Sequence, residues 1–239
     1  SACISCNEHV STKIGSLKTK NYRIVNNFEK FFELPQEKII EVDISGGEPT
    51  ASPNYKKLLK TLPTNTMIVR INTNGSKIIP EVENLLKENK KIIITLSFDG
   101  VEDVHDYARW PIKWSLYKEN VNRYIELKNT YSNLRLNFWT TLSCLNLFNL
   151  DEILAYAENK KIDHSYGFCV RPQVLDIRYK NFLTTHALKT LSNSKYEKSK
   201  KILKKVGTMD KDNSNELEAF LGEQDRLRGI SYKDYLSFL

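Results

Sequence analysis

Apolar residues follow two alternating patterns along the chain. Short, mostly apolar runs such as Lys91–Phe98 are typical of strands buried on both faces of a sheet. Longer stretches with apolar residues three or four positions apart, such as Trp114–Asn129, are typical of helices with one buried face. The strands predicted in this way are Lys38–Ile44, Met67–Ile71, Lys91–Phe98, Asn133–Thr141 and Ser165–Val170, and the helices are Tyr22–Glu33, Pro53–Leu62, Ile79–Glu88, Trp114–Asn129 and Leu150–Lys160.

Predicted strands and helices alternate as far as residue 170, and beyond residue 180 only polar, helix-forming sequence remains. Successive β–α units are typical of parallel sheets, in either an α/β barrel or a doubly wound arrangement. In both architectures, ligands bind at the carboxyl ends of the strands. These ends are rich in glycine and polar residues here, and the pattern therefore predicts a ligand site at Ser45-Gly46-Gly47-Glu48-Pro49, Thr73-Asn74-Gly75, Ser97-Phe98-Asp99-Gly100 and Thr141–Asn146.

Composition is that of an ordinary globular protein, since 40% of the 239 residues are hydrophobic and 27% are charged. No apolar run approaches the roughly 20 residues that a membrane-spanning helix needs, and no signal-peptide pattern opens the chain. We therefore expect a cytoplasmic protein without a membrane partner.

Four cysteines are too few for a disulfide framework. The close pair Cys3 and Cys6 indicates metal or redox chemistry, whereas Cys144 and Cys169 are expected to be buried as small apolar residues.

The net charge of +7 is concentrated in one segment. Residues 176–205 contain nine lysines and arginines but only two acidic residues, so this segment accounts for the whole excess. Such a segment attracts phosphate groups or an acidic peptide, although a lysine-rich run is also typical of a solvated helix face. Because the few aromatic residues of this segment are not regularly interleaved with its basic residues to stack bases, a nucleic-acid partner is not expected.

The Cys3-Ile4-Ser5-Cys6 pair is compatible with three kinds of site. A thioredoxin-like motif normally follows a strand, and no strand is predicted before it. Zinc is a second hypothesis, because Cys3, Cys6 and His9 supply three suitable ligands. An iron–sulfur site is the third. The Gly46-Gly47-Glu48-Pro49 segment favours it, because paired glycines allow a ligand to approach the backbone closely.

Residues 1–170 resemble the radical S-adenosylmethionine (SAM) superfamily. Its members carry C-x-x-x-C-x-x-C after the first strand and G-G-E-P at the end of the second, and Cys3–Cys6 and Ser45–Thr50 are similar to these motifs. Ile71–Gly75 is similar to the T-N-G of the third strand. Leu96–Gly100, followed by Val104–Arg109, is similar to the S-x-D-G and H-D-x-x-R of the fourth. The resemblance is closest to the branch with SPASM or twitch extensions, many of whose members modify peptides.

This resemblance implies a partial (β/α)6 TIM-like barrel of parallel strands in residues 1–175, followed by a helical extension in residues 176–239. It also implies an enzyme that binds a [4Fe–4S] cluster and SAM, and that cleaves SAM reductively to a 5′-deoxyadenosyl radical. The radical would then modify a peptide or small-molecule substrate. The implied electron donor is a flavodoxin or ferredoxin.

The resemblance also implies roles for individual residues. Cys3 and Cys6 would bind the cluster, Gly46, Gly47 and Glu48 would receive the methionyl ammonium group of SAM, and Pro49 would fix the turn. Thr73 and Asn74 would line the SAM pocket, while Ser97, Asp99 and Arg109 would contact its ribose or carboxylate. For Arg109, a surface ion pair is an equal alternative. Ser143 and Asn146 are weaker candidates, and His105 and Asp106 are expected to cap a helix or to lie on its surface.

One departure from the family pattern concerns the third cluster ligand. The motif requires a cysteine four positions before Cys3, and the chain begins at Ser1. We expect that the first cluster cysteine and the first barrel strand lie upstream, in a longer protein. Two alternatives stay open: a non-catalytic, degenerate barrel that binds a peptide or RNA, and a zinc protein that uses Cys3, Cys6 and His9.

Overall fold

The computed structural model describes residues 28–45, 47–64, 66–236 and 238. Cys3, Cys6, His9 and Gly46 lie outside these residues. No helix in the described ranges is long and apolar enough to span a membrane.

Five strands form one sheet in the order β1-β2-β3-β4-β5. The β1–β2 and β2–β3 pairs are parallel, with Ile44 opposite Ile71 and Thr73 opposite Leu96. Neighbours in the sheet are also neighbours in sequence, as in a barrel, whereas a doubly wound sheet reverses its order. The strands are β1 (Glu41–Ile44), β2 (Ile68–Thr73), β3 (Lys91–Ser97), β4 (Leu134–Leu142) and β5 (Asp163–Phe168).

Helices connect the strands, and four further helices follow β5. The connecting helices are α1 (Pro53–Lys60), α2 (Glu81–Lys87), α3 (Asp103–Ala108), α4 (Trp114–Thr130) and α5 (Leu150–Asn159). The C-terminal helices are α6 (Phe182–Thr190), α7 (Glu197–Leu203), α8 (Ser214–Arg228) and α9 (Tyr232–Tyr235). Short 3-10 helices cover Phe28–Glu33, Gln36–Lys38, Pro49–Ala51, Leu147–Asn149 and Gln173–Leu175. The predicted parallel α/β fold with a helical C-terminal region is confirmed.

Some predicted element boundaries differ from those observed. Within the predicted helix Tyr22–Glu33, the described residues form a 3-10 helix that ends at Glu33, because Pro35 lacks an N–H and restricts the residue before it. The first strand begins at Glu41 rather than Lys38, since Gln36–Lys38 forms another 3-10 turn. Strand β5 occupies Asp163–Phe168 rather than Ser165–Val170.

The strands are also less buried than their apolar sequences predict. Buried and half-buried residues alternate along β2 and β3, so only one face of each strand is fully covered among the described residues. The half-buried positions include polar residues such as Arg70, Asn72 and Thr95. A sheet face of this kind has room for polar groups that a close-packed core excludes.

The chain divides into two compact units. The first comprises the described residues up to Ser97 together with Ser115–Phe138, and the second comprises Phe98–Trp114 and the chain from Trp139 onward. In the first unit, the fully buried side chains of β2 and β3 include Val69, Ile71, Ile92 and Ile94. The predicted division at residues 175 and 176 stays a prediction.

Among the described residues, two apolar clusters contribute to the core of the second unit. In one, Leu217 and Leu221 of α8 and Tyr232 and Leu236 pack with Val104 and Tyr107, so these apolar side chains of the C-terminal segment are buried within this unit. In the other, Ile202 and Val206 join the apolar side chains of α5 and α6.

Candidate functional site

The turn after β1 is built around Glu48. This residue caps the 3-10 helix Pro49–Ala51, where proline at the first helical position suits the geometry. The Tyr55 hydroxyl donates a hydrogen bond to the Ser45 carbonyl oxygen at 3.2 Å and anchors the start of the turn. Gly47 is exposed, and a Cβ built there would have no atom of the described residues within 4 Å. The backbone at Gly47 is therefore open to a ligand.

Among the described residues, four donors give hydrogen bonds to the Glu48 carboxylate. Two belong to Thr50, whose backbone N–H and hydroxyl lie 3.3 and 2.9 Å from Oε1. The Thr73 hydroxyl lies 2.8 Å from Oε1, and the Asn74 backbone N–H lies 2.7 Å from Oε2. Since Thr73 is the last residue of β2 and Asn74 follows it, this one side chain joins the strand-end turns of β1 and β2. Four donors match the acceptor capacity of a carboxylate.

The Thr73-Asn74-Gly75 turn is held from within and by α4. Thr73 and Asn74 are both buried, and the Asn74 Oδ1 accepts a hydrogen bond from the Ser76 N–H at 2.8 Å. Gly75 has a φ of +70°, and a Cβ built there would lie 2.6 Å from a Tyr117 ring carbon. The Asn120 side chain donates to the Gly75 carbonyl oxygen at 2.9 Å. Glycine is thus required at this position by both conformation and space.

Asp99 and Arg109 form a buried ion pair in the second unit. Arg109 Nη1 lies 2.9 Å from Asp99 Oδ2, and the two side chains are 9% and 5% exposed. The other carboxylate oxygen accepts the backbone N–H of Thr141 at 2.7 Å. The pair therefore connects the segment after β3 to β4. An ion pair was one of the two predictions for Arg109, but its expected surface location is wrong, because Asp99 holds the guanidinium inside the unit.

The other candidates at these strand ends take largely structural positions. Ser97 is half-buried at the end of β3. Asn146 Oδ1 accepts the Ser143 N–H at 2.9 Å, and its Nδ2 donates to the Thr141 carbonyl oxygen at 3.1 Å, which closes the loop after β4. Asp106 accepts the Trp114 N–H at 2.5 Å and pairs with Lys113 at 3.1 Å.

His105 is fully buried, and its ring centroid lies 5.3 Å from that of Trp114. Burial, together with the nearby charge of Arg109, lowers the pKa of His105 to about 3. The imidazole is therefore neutral at physiological pH, and its position is that of a core residue rather than of a general acid. The expected helix-cap or surface position is therefore wrong for His105, because its ring is buried in the core of this unit.

Cys144 and Cys169 are buried, as predicted. Burial raises the pKa of the Cys144 thiol well above its ordinary range, so this thiol is not available as a thiolate ligand. Within the described ranges, no group of three or more histidine, cysteine, aspartate or glutamate side chains is placed to hold a metal ion. The predicted cluster ligands, Cys3 and Cys6, lie outside those ranges.

Sequence reasoning missed several residues that shape these turns. Tyr117 and Asn120 of α4 were assigned only to a helix, although they fix Gly75. Asn149 was not singled out, but its Oδ1 accepts the Val101 N–H at 2.7 Å. Helical periodicity marks such positions as buried or exposed, and it contains no signal for a contact with a distant turn.

The parallel α/β fold, with an open turn at Gly47 that Glu48 holds in place, can be compared with known protein families. A family model described as the Radical SAM superfamily matches residues 2–158. The chain belongs to this superfamily, which confirms the resemblance drawn from its motifs.

Particular relatives are similar over part of the chain. The mycofactocin maturase MftC of Mycobacterium tuberculosis is 29% identical over 110 residues, which are 45% of this chain and 27% of that protein. The MftC of Mycolicibacterium smegmatis is 32% identical over 78 residues, which are 32% of this chain and 20% of that protein. The matched segment thus spans less than a third of either relative.

Among solved structures, SuiB of Streptococcus suis has a similar fold. The structure of SuiB bound to its precursor peptide SuiA matches with a TM-score of 0.53 and 16% identity, over 80% of this chain and 43% of that chain. SuiB bound to S-adenosylmethionine matches with a TM-score of 0.50 and 15% identity, over 74% and 44% of the two chains. At this level of identity the similarity concerns the fold alone.

Proposed function

We propose that this chain is the SAM-binding core of a radical SAM enzyme that modifies a peptide. The observation that carries the proposal is the Glu48 carboxylate, whose four hydrogen bonds fix two neighbouring strand-end turns in the first unit. Both turns match family motifs, and the exposed Gly47 leaves backbone accessible between them and solvent. A preorganised turn with open backbone is suited to binding a polar ligand.

The four donors around Glu48 refine its expected role. Because its acceptor capacity is already used, we infer that Glu48 positions the turn and that the backbone carbonyl groups of Gly46 and Gly47 accept from the methionyl ammonium of SAM. Pro49 keeps the turn in place, and Thr73 and Asn74 form its buried support. Glu48 is thus a positioning residue in this proposal.

Asp99 and Arg109 have a similar supporting role. The two side chains bond to each other, and Asp99 also accepts a hydrogen bond from the β4 backbone. In this proposal, the ribose or carboxylate of SAM is therefore contacted by Ser97 and by the backbone that the ion pair positions. An ion pair with little exposure keeps that backbone in one conformation.

Cys3 and Cys6 are proposed as two ligands of a [4Fe–4S] cluster. Thiolates are the usual ligands of such clusters. When bound together, the cluster and SAM supply a 5′-deoxyadenosyl radical that is able to take hydrogen from an unactivated C–H bond. The chain's part is to bind both groups and to hold the strand-end backbone against them.

A peptide substrate is supported by the relatives. One is a maturase of mycofactocin, and the other was crystallised with a precursor peptide. A small electron-transfer protein such as a flavodoxin or ferredoxin is the proposed reductant. Both partners are proposals for the whole protein, of which the similar segment is a part.

SAM binding by the reconstituted full-length protein tests the role of Glu48. In wild type, the donors face a carboxylate. In Glu48→Gln, some of them face the NH2 group of a carboxamide, which cannot accept a hydrogen bond, so the turn loses charge-assisted hydrogen bonds. We expect the dissociation constant for SAM, measured by equilibrium dialysis, to rise about tenfold or more. Glu119→Gln makes the same chemical change on the exposed surface of α4 and should leave SAM binding unchanged. Equal SAM affinity in Glu48→Gln and wild type would contradict the proposed site.

A further inference from the structure

A pocket of about 170 Å³ lies beyond the carboxyl end of β5 in the second unit. Its walls combine apolar and cationic side chains from β5, from the segment after it and from the end of α7. They are Phe168, Val170, Asp176, Ile177, Arg178 and Lys205. None of these residues belongs to the motifs that define the family.

The cationic groups of the pocket are held in place. Lys205 Nζ lies 4.7 Å from the centroid of the Phe168 ring, an arrangement that attracts the ammonium group to the ring face. Arg178 is bound to Asp176 through one edge of its guanidinium, at 2.6 Å for Nη2 and 3.0 Å for Nε. Asp176 is 2% exposed. Because the pocket is lined by this one acid and by two cations, Arg178 and Lys205, its net charge is positive.

The apolar part of the pocket is unusually accessible. Val170 is 54% exposed, although it directly follows the half-buried end of β5 and Cys169. Water-exposed aliphatic surface next to fixed cations is complementary to a group that has both a hydrocarbon part and a negative charge. A carboxylate on a short aliphatic side chain, or at the end of a peptide, has this character.

We propose that this pocket binds a carboxylate group of the substrate peptide. The inference rests on the proposed function, since it takes a peptide to be the substrate, and it adds the chemistry that the peptide must carry. Lys205 binds the carboxylate, Arg178 adds positive potential, and Val170 contacts the adjoining methylene groups. The pocket lies at the strand end where ligands of parallel α/β proteins bind.

The surroundings favour a peptide over RNA. Exposed cations around the pocket, including Arg171, Lys201 and Lys204, increase the local positive potential. However, the nearby rings of Tyr166 and Phe168 are half-buried, and lysine ammonium groups lie over both. They are not presented as stacking platforms for bases. Two cations, Arg178 and Lys205, line one small pocket instead of following an extended backbone.

Two neighbouring lysines provide the test. Lys205→Glu and Lys204→Glu change the charge equally at the exposed end of α7, but only Lys205 lines the pocket. Binding of short fluorescent peptides to the full-length protein is measured by anisotropy, without SAM or reductant. We expect Lys205→Glu to weaken binding of a glutamate-containing peptide about tenfold or more, and Lys204→Glu by only about twofold. Lys205→Arg should retain most of the affinity.

Peptide variants identify the source of the carboxylate. One peptide has glutamate and an amidated C-terminus, a second has glutamine and a free C-terminus, and a third has glutamine and an amidated C-terminus. Tighter binding of the first or the second than of the third supports the pocket and tells which carboxylate it takes. Equal binding of all three, equal losses for the two lysine variants, or tighter binding of a single-stranded RNA would overturn the proposal. Because no SAM chemistry enters the measurement, its result is independent of the test of Glu48.

Discussion

Glu48 is a cross-link between two turns that are far apart in sequence. Its partners Thr50 and Thr73 lie 2 and 25 residues away, and a carboxylate is suited to this position because it accepts several hydrogen bonds while donating none. Aspartate has the same chemistry with a shorter side chain. The turn geometry at the strand ends therefore depends on the reach and charge of one side chain.

Gly75 provides a prediction about stability. Gly75→Ala forces a left-handed conformation on a residue with a Cβ and places that Cβ against Tyr117. We expect the free energy of unfolding in urea to fall by at least about 2 kcal/mol.

The matched control is Gly222→Ala on α8, where a Cβ would have open space. This change removes a helical glycine, and it should raise stability by about 0.5–1 kcal/mol. If Gly75→Ala unfolds at the same urea concentration as wild type, the described turn geometry is wrong.

The sequence was sufficient to identify the residues of these turns but not their contacts. The glycine pair, Glu48 and Thr73-Asn74-Gly75 were all found, because each follows a recognisable apolar run. The hydrogen bond from Thr73 to Glu48 could not be predicted, since it depends on the register in which Ile44 lies opposite Ile71. Strand patterns alone leave such a register open.

At the scale of elements, two ion pairs differ in burial. Arg109 and Asp99 are 9% and 5% exposed, whereas Arg70 and Glu41 join β2 to β1 and are 42% and 41% exposed. A buried charge that loses its partner is left without solvation, because water cannot reach it. An exposed charge that loses its partner is solvated by water.

Arg109→Met and Arg70→Met should therefore have very different effects. We expect Arg109→Met to lower the free energy of unfolding by about 3–5 kcal/mol and Arg70→Met by less than about 1 kcal/mol. Both values come from urea titrations monitored by circular dichroism. Replacing Asp99 as well, in Asp99→Leu with Arg109→Met, should recover part of the loss. Similar effects of the two single substitutions would be inconsistent with the different burial of the two pairs.

Element boundaries were less predictable than element types. Pro35 ends one 3-10 helix and precedes another, so β1 is shorter than its apolar run. The strand Met67–Ile71 was predicted to end before Asn72, and Lys91–Phe98 was predicted to be buried on both faces. Instead, Asn72 and Thr95 lie on one regular, half-buried face of β2 and β3. The alternation of buried and half-buried positions was hidden in the sequence, because isoleucine occupies several positions of both kinds. Ile71 and Ile92 are buried, for example, whereas Ile93 is half-buried.

At the scale of the molecule, burial of two histidines makes stability depend on pH. Burial lowers the pKa of His105 to about 3 and that of His164 to about 4, with nearby Arg109 and Lys198 acting in the same direction. In the unfolded chain both pKa values return to about 6.5. The unfolded state therefore binds more protons below pH 6.5, and stability falls as the pH falls.

The free energy of unfolding should decrease between pH 6.5 and about pH 4, by up to about 1.4 kcal/mol per pH unit for each histidine. His105→Phe removes one titrating group and should reduce this slope relative to wild type. Urea titrations across the range measure it. An unchanged slope in His105→Phe would mean that His105 is not held neutral in the folded protein.

The division into compact units was beyond sequence reasoning. Each unit is assembled from separated stretches, since Phe98–Trp114 belongs with the chain after Trp139 and Ser115–Phe138 belongs with the chain before Phe98. No linker or change in composition marks these junctions. The family was predictable from its short motifs, and the barrel-like order of strands followed from that resemblance, because local patterns alone left a doubly wound sheet equally open.

We propose that this chain belongs to an enzyme that cleaves SAM reductively. The most direct measurement is the release of 5′-deoxyadenosine by full-length protein, reconstituted without oxygen and incubated with SAM and dithionite. We expect wild type to release it and the double variant Cys3→Ala with Cys6→Ala to release none, although the latter remains folded. If the wild type releases no 5′-deoxyadenosine and its metal content is zinc rather than iron, reductive cleavage of SAM is contradicted as the activity of this protein.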